Sequence, residues 1–239
     1  MGLADPHCHT TASDAVVGPA ELVAAAVAAR LDLIAITDHD TMAGAREVWE
    51  RGRDAGLEVV RGEEVTTAWP AQTHVLGWFL ERPVPAGRSL AYTVDAIHAQ
   101  GGLAVIPHPF MPTYFASCQP AMLARLIDQR SVDGLEVVHT APTTRRRQRA
   151  LEAFYEAHRE RVGARLAGSD SHFGRHDLGR VLVFYPGRSA EDFHRAVVER
   201  STDPRAGRRP PPPPLRLRAR QQVRSLVGLP LRRLHGDLR

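Results

Sequence analysis

Two histidines one residue apart, His7 and His9 in DPHCHT, stand at the head of a dispersed set of metal-type donors. Side chains at i and i+2 of a strand point to the same side, so two imidazoles placed there can hold one metal ion together. Asp38, His39 and Asp40 follow the apolar run LDLIAIT, and Glu63 and Glu64 follow VVRG. His74 opens THVLGWF, His108 lies between two prolines, and Asp170 and His172 come after ARLAGS. Imidazole and carboxylate without thiolate partners favour Zn²⁺, Mn²⁺ or Fe²⁺ over softer ions. The chain has no lysine, which removes Schiff-base catalysis and the phosphate-loop lysine. Arginine must therefore handle any anion.

Donors so far apart need a frame that gathers them. Apolar runs at 31–37, 57–60, 73–79, 103–106, 135–138, 164–167 and 181–185 alternate with helix-patterned stretches, among them 89–100, 120–130, 144–161 and 190–200. This rhythm predicts parallel strands with helices outside. The first segment, before His7, and four of these runs end in potential ligands. In a closed parallel barrel all those C-terminal ends meet on one face, whereas an open sheet would scatter several of them.

The segments DPHCHTTASD, AITDHDTMAGA, RGEEVTT with THVLGWF, GGLAVIPHP and GSDSHFGRHDLGR, in that order, resemble the PHP (polymerase and histidinol phosphatase) superfamily. Members of that superfamily are metal-dependent phosphoesterases. The resemblance spans almost all of residues 1–185 and implies an α/β fold, a distorted (β/α)7 TIM-like barrel with its metal site at the C-terminal ends of the strands. It implies two or three divalent ions. The first would be held by His7, His9, Glu64 and Asp170, a second by Glu64 with His74 and His108, and a third by Asp14, His39 and His172.

The implied reaction is attack of a metal-bound hydroxide on phosphorus. Asp38 or Asp40 is expected to orient His39 and its neighbours. Arg175 is expected to clamp the substrate phosphate with its planar fork, and His176 to protonate the leaving group. Asp14 and Asp38 also read as helix caps. Glu63, one step out of register with Glu64, is expected to be a solvated surface charge, and Cys8 to pack rather than bind metal. His98, His139, His158, His194 and His235 read as ordinary surface or structural histidines.

The text is most similar to the branch that hydrolyses nucleoside 3′,5′-bisphosphates or trims RNA from its 5′ end. Members of that branch usually carry a helical insertion between the strands bearing His74 and His108; here only one helix-length connection joins them. The expected substrate is a phosphomonoester, nucleotide-type or a small phosphorylated metabolite, or a short oligonucleotide of RNA or DNA. Two alternatives stay open: a metal-dependent hydrolase of a non-phosphate bond, and a non-catalytic, metal-stabilised module that binds a partner.

With 239 residues and 43% hydrophobic content, the chain can bury a continuous core. It has no run of about eighteen apolar residues and no signal-like start, which predicts a cytoplasmic protein. Two cysteines, Cys8 and Cys118, exclude a disulfide framework. From Pro204 onward ten arginines face one acid, Asp237, while residues 1–203 hold 21 arginines against 26 acids. A barrel domain over 1–203 is therefore expected to be followed by a flexible basic tail over 204–239, its five-proline run a spacer. The tail is expected to be dispensable for small substrates; contact with anionic lipid or RNA is the alternative reading, and no obligate protein partner is predicted. Four arginines at 145–149 read as one side of a solvated face salt-linked to Glu152, Glu156 and Glu160.

Overall fold

Strand β1 (Gly2–Cys8) pairs in parallel with β2 (Leu33–Ile36), and β2 with β3 (Glu58–Thr66), in a computed structural model that describes residues 1–113 and 115–231. His235, expected to be an ordinary histidine, and the end of the basic tail lie outside the described residues. The chain then turns back, so that β4 (His74–Trp78) runs antiparallel to both β3 and β5 (Leu103–Ile106). Beyond it β5, β6 (Gly134–His139) and β7 (Ala164–Gly168) run parallel to one another.

The last of these strands returns to the first. The His9 N–H donates to the Ser171 carbonyl at 2.9 Å, and the Ser171 N–H donates to the His7 carbonyl at 3.1 Å. Seven strands thus form a nearly closed barrel, whose distortion is the reversed β4. That reversal places the N-terminal end of β4, and with it His74, at the same mouth as the C-terminal ends of its neighbours. An all-parallel reading of the apolar runs could not show this.

Helices α1 (Pro19–Ala28), α2 (Ala43–Ala55), α3 (Leu90–His98), α4 (Pro120–Ile127), α5 (Arg145–Val162) and α6 (Ala190–Val198) follow the strands. Local sequence starts several of them. Proline opens α1 and α4, the Ser89 hydroxyl accepts the Tyr92 N–H, and Thr144 accepts the Arg147 N–H. Ser189 and Asp192 form a reciprocal capping box on α6.

Because helices cover the sheet from outside, strand residues are buried on both faces. Ala35, Val60, Leu76, Trp78, Val105 and Leu166 belong to one core cluster, which reaches Phe193 of α6. Ile34 and Ile36 of β2 pack instead with Leu22, Val23 and Val48 of α1 and α2. Cys8 joins this second cluster and donates its thiol to the Asp5 carbonyl at 3.3 Å, a packing residue as expected.

The same double burial overturns the expectation for Glu63. It does point away from Glu64, but it is fully buried, and its Oε2 accepts the Val84 N–H at 2.9 Å. The outer side of β3 faces the 80–84 segment rather than water. The salt-linked face of α5 is also built differently: Glu152 and Glu156 pair with Arg165 on β7, and Glu160 with Arg200. Arg147 instead donates to the carbonyls of Phe110 and Met111, in the loop after His108.

Structure continues past residue 203. Strand β8 (Val181–Tyr185) pairs antiparallel with β1 on one side and with β9 (Asp203–Ala206) on the other. After the proline run comes α7 (Leu215–Val223), continued by a π-helical turn at Arg224–Gly228. The ladder partner for β9 is the edge of β8, a long-range pairing that the composition of the tail does not signal.

Candidate metal centre

At the mouth of the barrel, Glu64 collects five imidazoles. Its Oε1 lies 2.8 Å from His74 Nδ1 and 3.0 Å from His108 Nε2. Its Oε2 lies 3.2 Å from His9 Nε2, 3.3 Å from His7 Nε2 and 3.4 Å from His39 Nδ1. Asp170 Oδ1 approaches the same nitrogens, 3.1 Å from His9 and 3.4 Å from His7. Asp14 Oδ1 stands on the other side, 3.0 Å from His172 Nε2 and 3.9 Å from His39 Nε2. All nine residues expected as ligands therefore meet in one pocket.

Three donor groups have atoms within 4.8 Å of one another: His7, His9, Glu64 and Asp170; His9, Asp14, His39 and His172; and His39, Glu64 and His74. The first is the set the resemblance implies. In the second, His9 joins Asp14, His39 and His172, and in the third His39 joins Glu64 and His74.

The backbone makes these approaches possible. His39 and Glu64 form a bridge between the ends of β2 and β3, and Asp40, His108 and Asp170 take positive φ angles of 54°, 28° and 53°. Non-glycine residues in that region concentrate at sites where function fixes the geometry. Gly168 sits where a Cβ would collide with Glu136 Oε1 and crowd His7. Gly62 lies within β3, where a Cβ would strike the Gly77 carbonyl of β4.

Hydrogen bonding fixes two tautomers. His7 Nδ1 lies 3.0 Å from the carboxylate of Glu136 and donates to it, so Nε2 is the nitrogen left to ligate when the ring gives up its second proton. His172 Nδ1 donates to the Asp170 carbonyl at 2.8 Å, leaving its Nε2 lone pair aimed at Asp14. Ring nitrogens and carboxylate oxygens thus face one another at 3.0–3.4 Å in a buried pocket. That arrangement is repulsive unless a cation or a proton lies between the groups. Asp170 Oδ1 and the Nδ1 atoms of His9 and His39 are buried without a hydrogen-bond partner, as ligand atoms are before a metal is bound. The donor set fits divalent ions.

Charge in the pocket is strongly coupled. Burial by itself would raise the carboxyl of Glu64, but His74, His39 and His7 hold it well below the ordinary range, and His172 and His7 do the same for Asp170. Burial depresses the imidazole of His7, yet Glu136, Glu64 and Asp170 lift it well above its usual value; Asp14 and Asp170 do so for His172. For His39 burial wins and pushes it to about 3, so that ring is neutral. Groups that attract protons this way release them when a divalent ion takes the same donors.

The acids expected to orient His39 bond to neighbouring backbone and hydroxyl groups. Asp38 accepts from the Thr10 N–H and hydroxyl, both at 2.7 Å, and from the Ser13 hydroxyl at 2.6 Å, so it shapes the loop that carries Asp14. It does not cap α2, whose first turn is met by Thr41. Asp40 accepts the Thr66 N–H at 2.6 Å and pins β3 beside β2. The acid that orients a ligand is Glu136, which also accepts the His108 N–H at 2.8 Å. Sequence reasoning passed over Glu136, although an acid inside the apolar run LEVV is a signal, since a buried carboxylate needs partners.

His139 was read as an ordinary histidine. It ends β6, half-buried, with both ring nitrogens enclosed. Burial lowers its imidazole. The rule that singled out the other ligands, a polar residue at the end of a barrel strand, applies to it equally.

Arg175 and His176 lie outside the cluster, on a short 3₁₀ turn at Gly174–His176. The Arg175 side chain is exposed, and its Nε donates to His176 Nε2 at 3.3 Å. His176 Nδ1 donates to the Pro211 carbonyl at 3.2 Å, and Arg208 donates to the Arg175 carbonyl at 3.1 Å. Both residues are tied to the segment after the barrel.

The model of the PHP domain matches residues 5–200, more than half of the chain. The chain belongs to the PHP family. Over 94 residues it is 36% identical to a 5′-3′ exoribonuclease of Haemophilus influenzae, a match covering 39% of this chain and 34% of that protein. Over 209 residues it is 25% identical to a 3′,5′-nucleoside bisphosphate phosphatase of Chromobacterium violaceum, covering 77% of this chain and 71% of that one. A solved two-domain protein of Bacteroides vulgatus, described as containing a predicted PHP-like metal-dependent phosphoesterase, superposes with a TM-score of 0.68. That match is 20% identical and covers 86% of this chain and 64% of the other. The fold is thus that of a PHP barrel, and membership of the family classes the chain among metal-dependent phosphoester hydrolases. No helix among the described residues is long and apolar enough to cross a membrane.

Proposed function

We propose that this PHP domain hydrolyses a phosphomonoester of nucleotide type, or the terminal phosphoester of a short oligonucleotide. The observation that carries the reading is the convergence of the His7, His9 and His172 Nε2 atoms on the carboxylates of Glu64, Asp170 and Asp14. When bound there, divalent ions would supply Lewis-acid polarisation of phosphate oxygens, activation of water and neutralisation of leaving-group charge. His7, His9, Glu64 and Asp170 would hold one ion; Asp14, His39 and His172 would serve a second, with His74 and His108 completing the shell of Glu64. Glu136 keeps His7 in the tautomer whose Nε2 is free to ligate.

A specific observation supports a nucleotide over a bare phosphate ester. Trp69 and Phe115 are 74% and 51% exposed, with ring centroids 5.9 Å apart. The loops bearing them clasp His74: its N–H donates to the Ala116 carbonyl at 3.2 Å, and the Ala116 N–H donates to Ala71 at 3.3 Å. An exposed aromatic pair carried on the two loops that meet the His74 backbone offers a stacking surface for a base whose phosphate sits in the pocket.

The reading is tested by assaying p-nitrophenyl phosphate, a thymidine p-nitrophenyl phosphodiester, a nucleoside 3′,5′-bisphosphate and a set of lactones with metal-loaded protein. Turnover of a phosphoester that His39→Ala and Asp170→Ala each abolish, with circular dichroism near wild type, is expected. Turnover of lactones alone would transfer the site to a different hydrolase class.

A further inference from the structure

The segment after the barrel reaches the metal centre. Helix α7 lies across the Thr11–Val17 loop, with Leu217 packed against the buried cluster of Ala15, Val16 and Val17. One turn further on, Gln221 is buried, and its Nε2 donates to Asp14 Oδ2 at 3.3 Å. Arg224, another turn along, donates to the carbonyls of Thr11 at 2.7 Å and Ser13 at 2.8 Å. Leu217, Gln221 and Arg224 are spaced by four and three residues, so they share one helix face, and that face is the one that docks.

The two oxygens of Asp14 are thereby divided. Oδ2 is taken by Gln221 and Oδ1 faces His172, His39 and His9. A carboxylate whose second oxygen is held by an outside donor is fixed in the orientation in which its first oxygen can ligate. Arg224 and the Asp38 bonds to Thr10 and Ser13 brace the same loop from opposite sides.

We propose that Gln221 is a positioning residue for Asp14, and that docking of α7 makes the C-terminal segment part of the metal centre. The proposal rests on the metal-centre reading above and reverses the expectation that the segment is dispensable. Partners that orient metal ligands typically contribute about 10–100-fold to metal affinity, and a comparable share is assigned to Gln221.

The test uses the full chain, stripped of metal, in wild-type form and as Gln221→Leu and Leu217→Asp, the second variant undocking α7 without touching Asp14. Calorimetric titration with Mn²⁺ is paired with the visible absorption of Co²⁺-substituted protein, which reports ligand geometry. The expected result in both variants is a loss of about tenfold or more in the binding step assigned to Asp14, His39 and His172, an altered Co²⁺ spectrum for that step, and an unchanged step for His7, His9, Glu64 and Asp170. Wild-type affinities and spectra in both folded variants would overturn the proposal while leaving the metal centre standing. Failure of the wild-type protein to bind either ion would overturn both.

Discussion

His7 Nδ1 and Glu136 Oε1 lie 3.0 Å apart, both fully buried, and that contact determines which ring nitrogen faces the rest of the cluster. The carboxylate sets the tautomer and basicity of the imidazole, which would hold an ion through its other nitrogen. Glu136→Leu, which removes the acceptor and leaves an apolar side chain of similar size, is expected to weaken the ion bound by His7 and His9 about 10–100-fold in a chelator-competition assay. An unchanged affinity would mean that Glu136 is held for packing alone.

Gly168 gives a second test of that geometry. Because a Cβ there would meet Glu136 Oε1, Gly168→Ala is expected to displace the carboxylate and reproduce the metal-binding defect of Glu136→Leu without altering any polar group. Metal affinity measured side by side for the two variants checks this; a Gly168→Ala protein that binds normally would place the carboxylate's freedom of movement above its role.

Glu63 ties stability to pH. Burial pushes its carboxyl up to about 8, from 4.5, and Asp40 adds to the effect. The folded state therefore holds a proton that the unfolded chain releases above pH 4.5. Stability from this group is fully present below that pH and is lost progressively until about pH 8. Glu63→Gln, which keeps an acceptor for the Val84 N–H, is expected to flatten the fall and to raise the unfolding midpoint at pH 8, with a gain of a few kcal/mol at roughly 1.4 kcal/mol per pKa unit. Parallel pH profiles of wild type and variant would contradict the assignment.

The Trp69 and Phe115 pair separates substrate size from chemistry. Trp69→Ala is expected to raise KM for a nucleoside bisphosphate about tenfold, the low end of a stacking contribution of ~1–3 kcal/mol, while leaving kinetics on p-nitrophenyl phosphate near wild type. A loss on both substrates would mean that the loop supports His74 rather than a base.

Much of this architecture was readable before any coordinates. Candidate ligands at the ends of apolar runs are local patterns that single out His7, His9, His39, His108 and Asp170, while the choice of Glu64 over Glu63 came from the resemblance to the PHP family. What was hidden depends on partners distant in sequence. The antiparallel turn of β4 is set by a hairpin that no apolar pattern orients, Glu63 is buried by the 80–84 segment, and Asp38 bonds a loop 25 to 28 residues earlier. The docked helix was masked by composition. Arginines dominate α7, but one face of it, Leu217, Gln221 and Arg224, meets the Thr11–Val17 loop some two hundred residues away.

The central claim is that imidazoles and carboxylates at the barrel mouth hold the ions on which catalysis depends. It is tested most directly by counting metal in protein purified without chelator, stripping it, and adding back Zn²⁺, Mn²⁺ or Fe²⁺ while phosphoester hydrolysis is followed. Two or more ions per chain, activity lost on stripping and restored by at least one metal, is the predicted result. Hydrolysis that persists in protein shown to be free of metal would contradict the account.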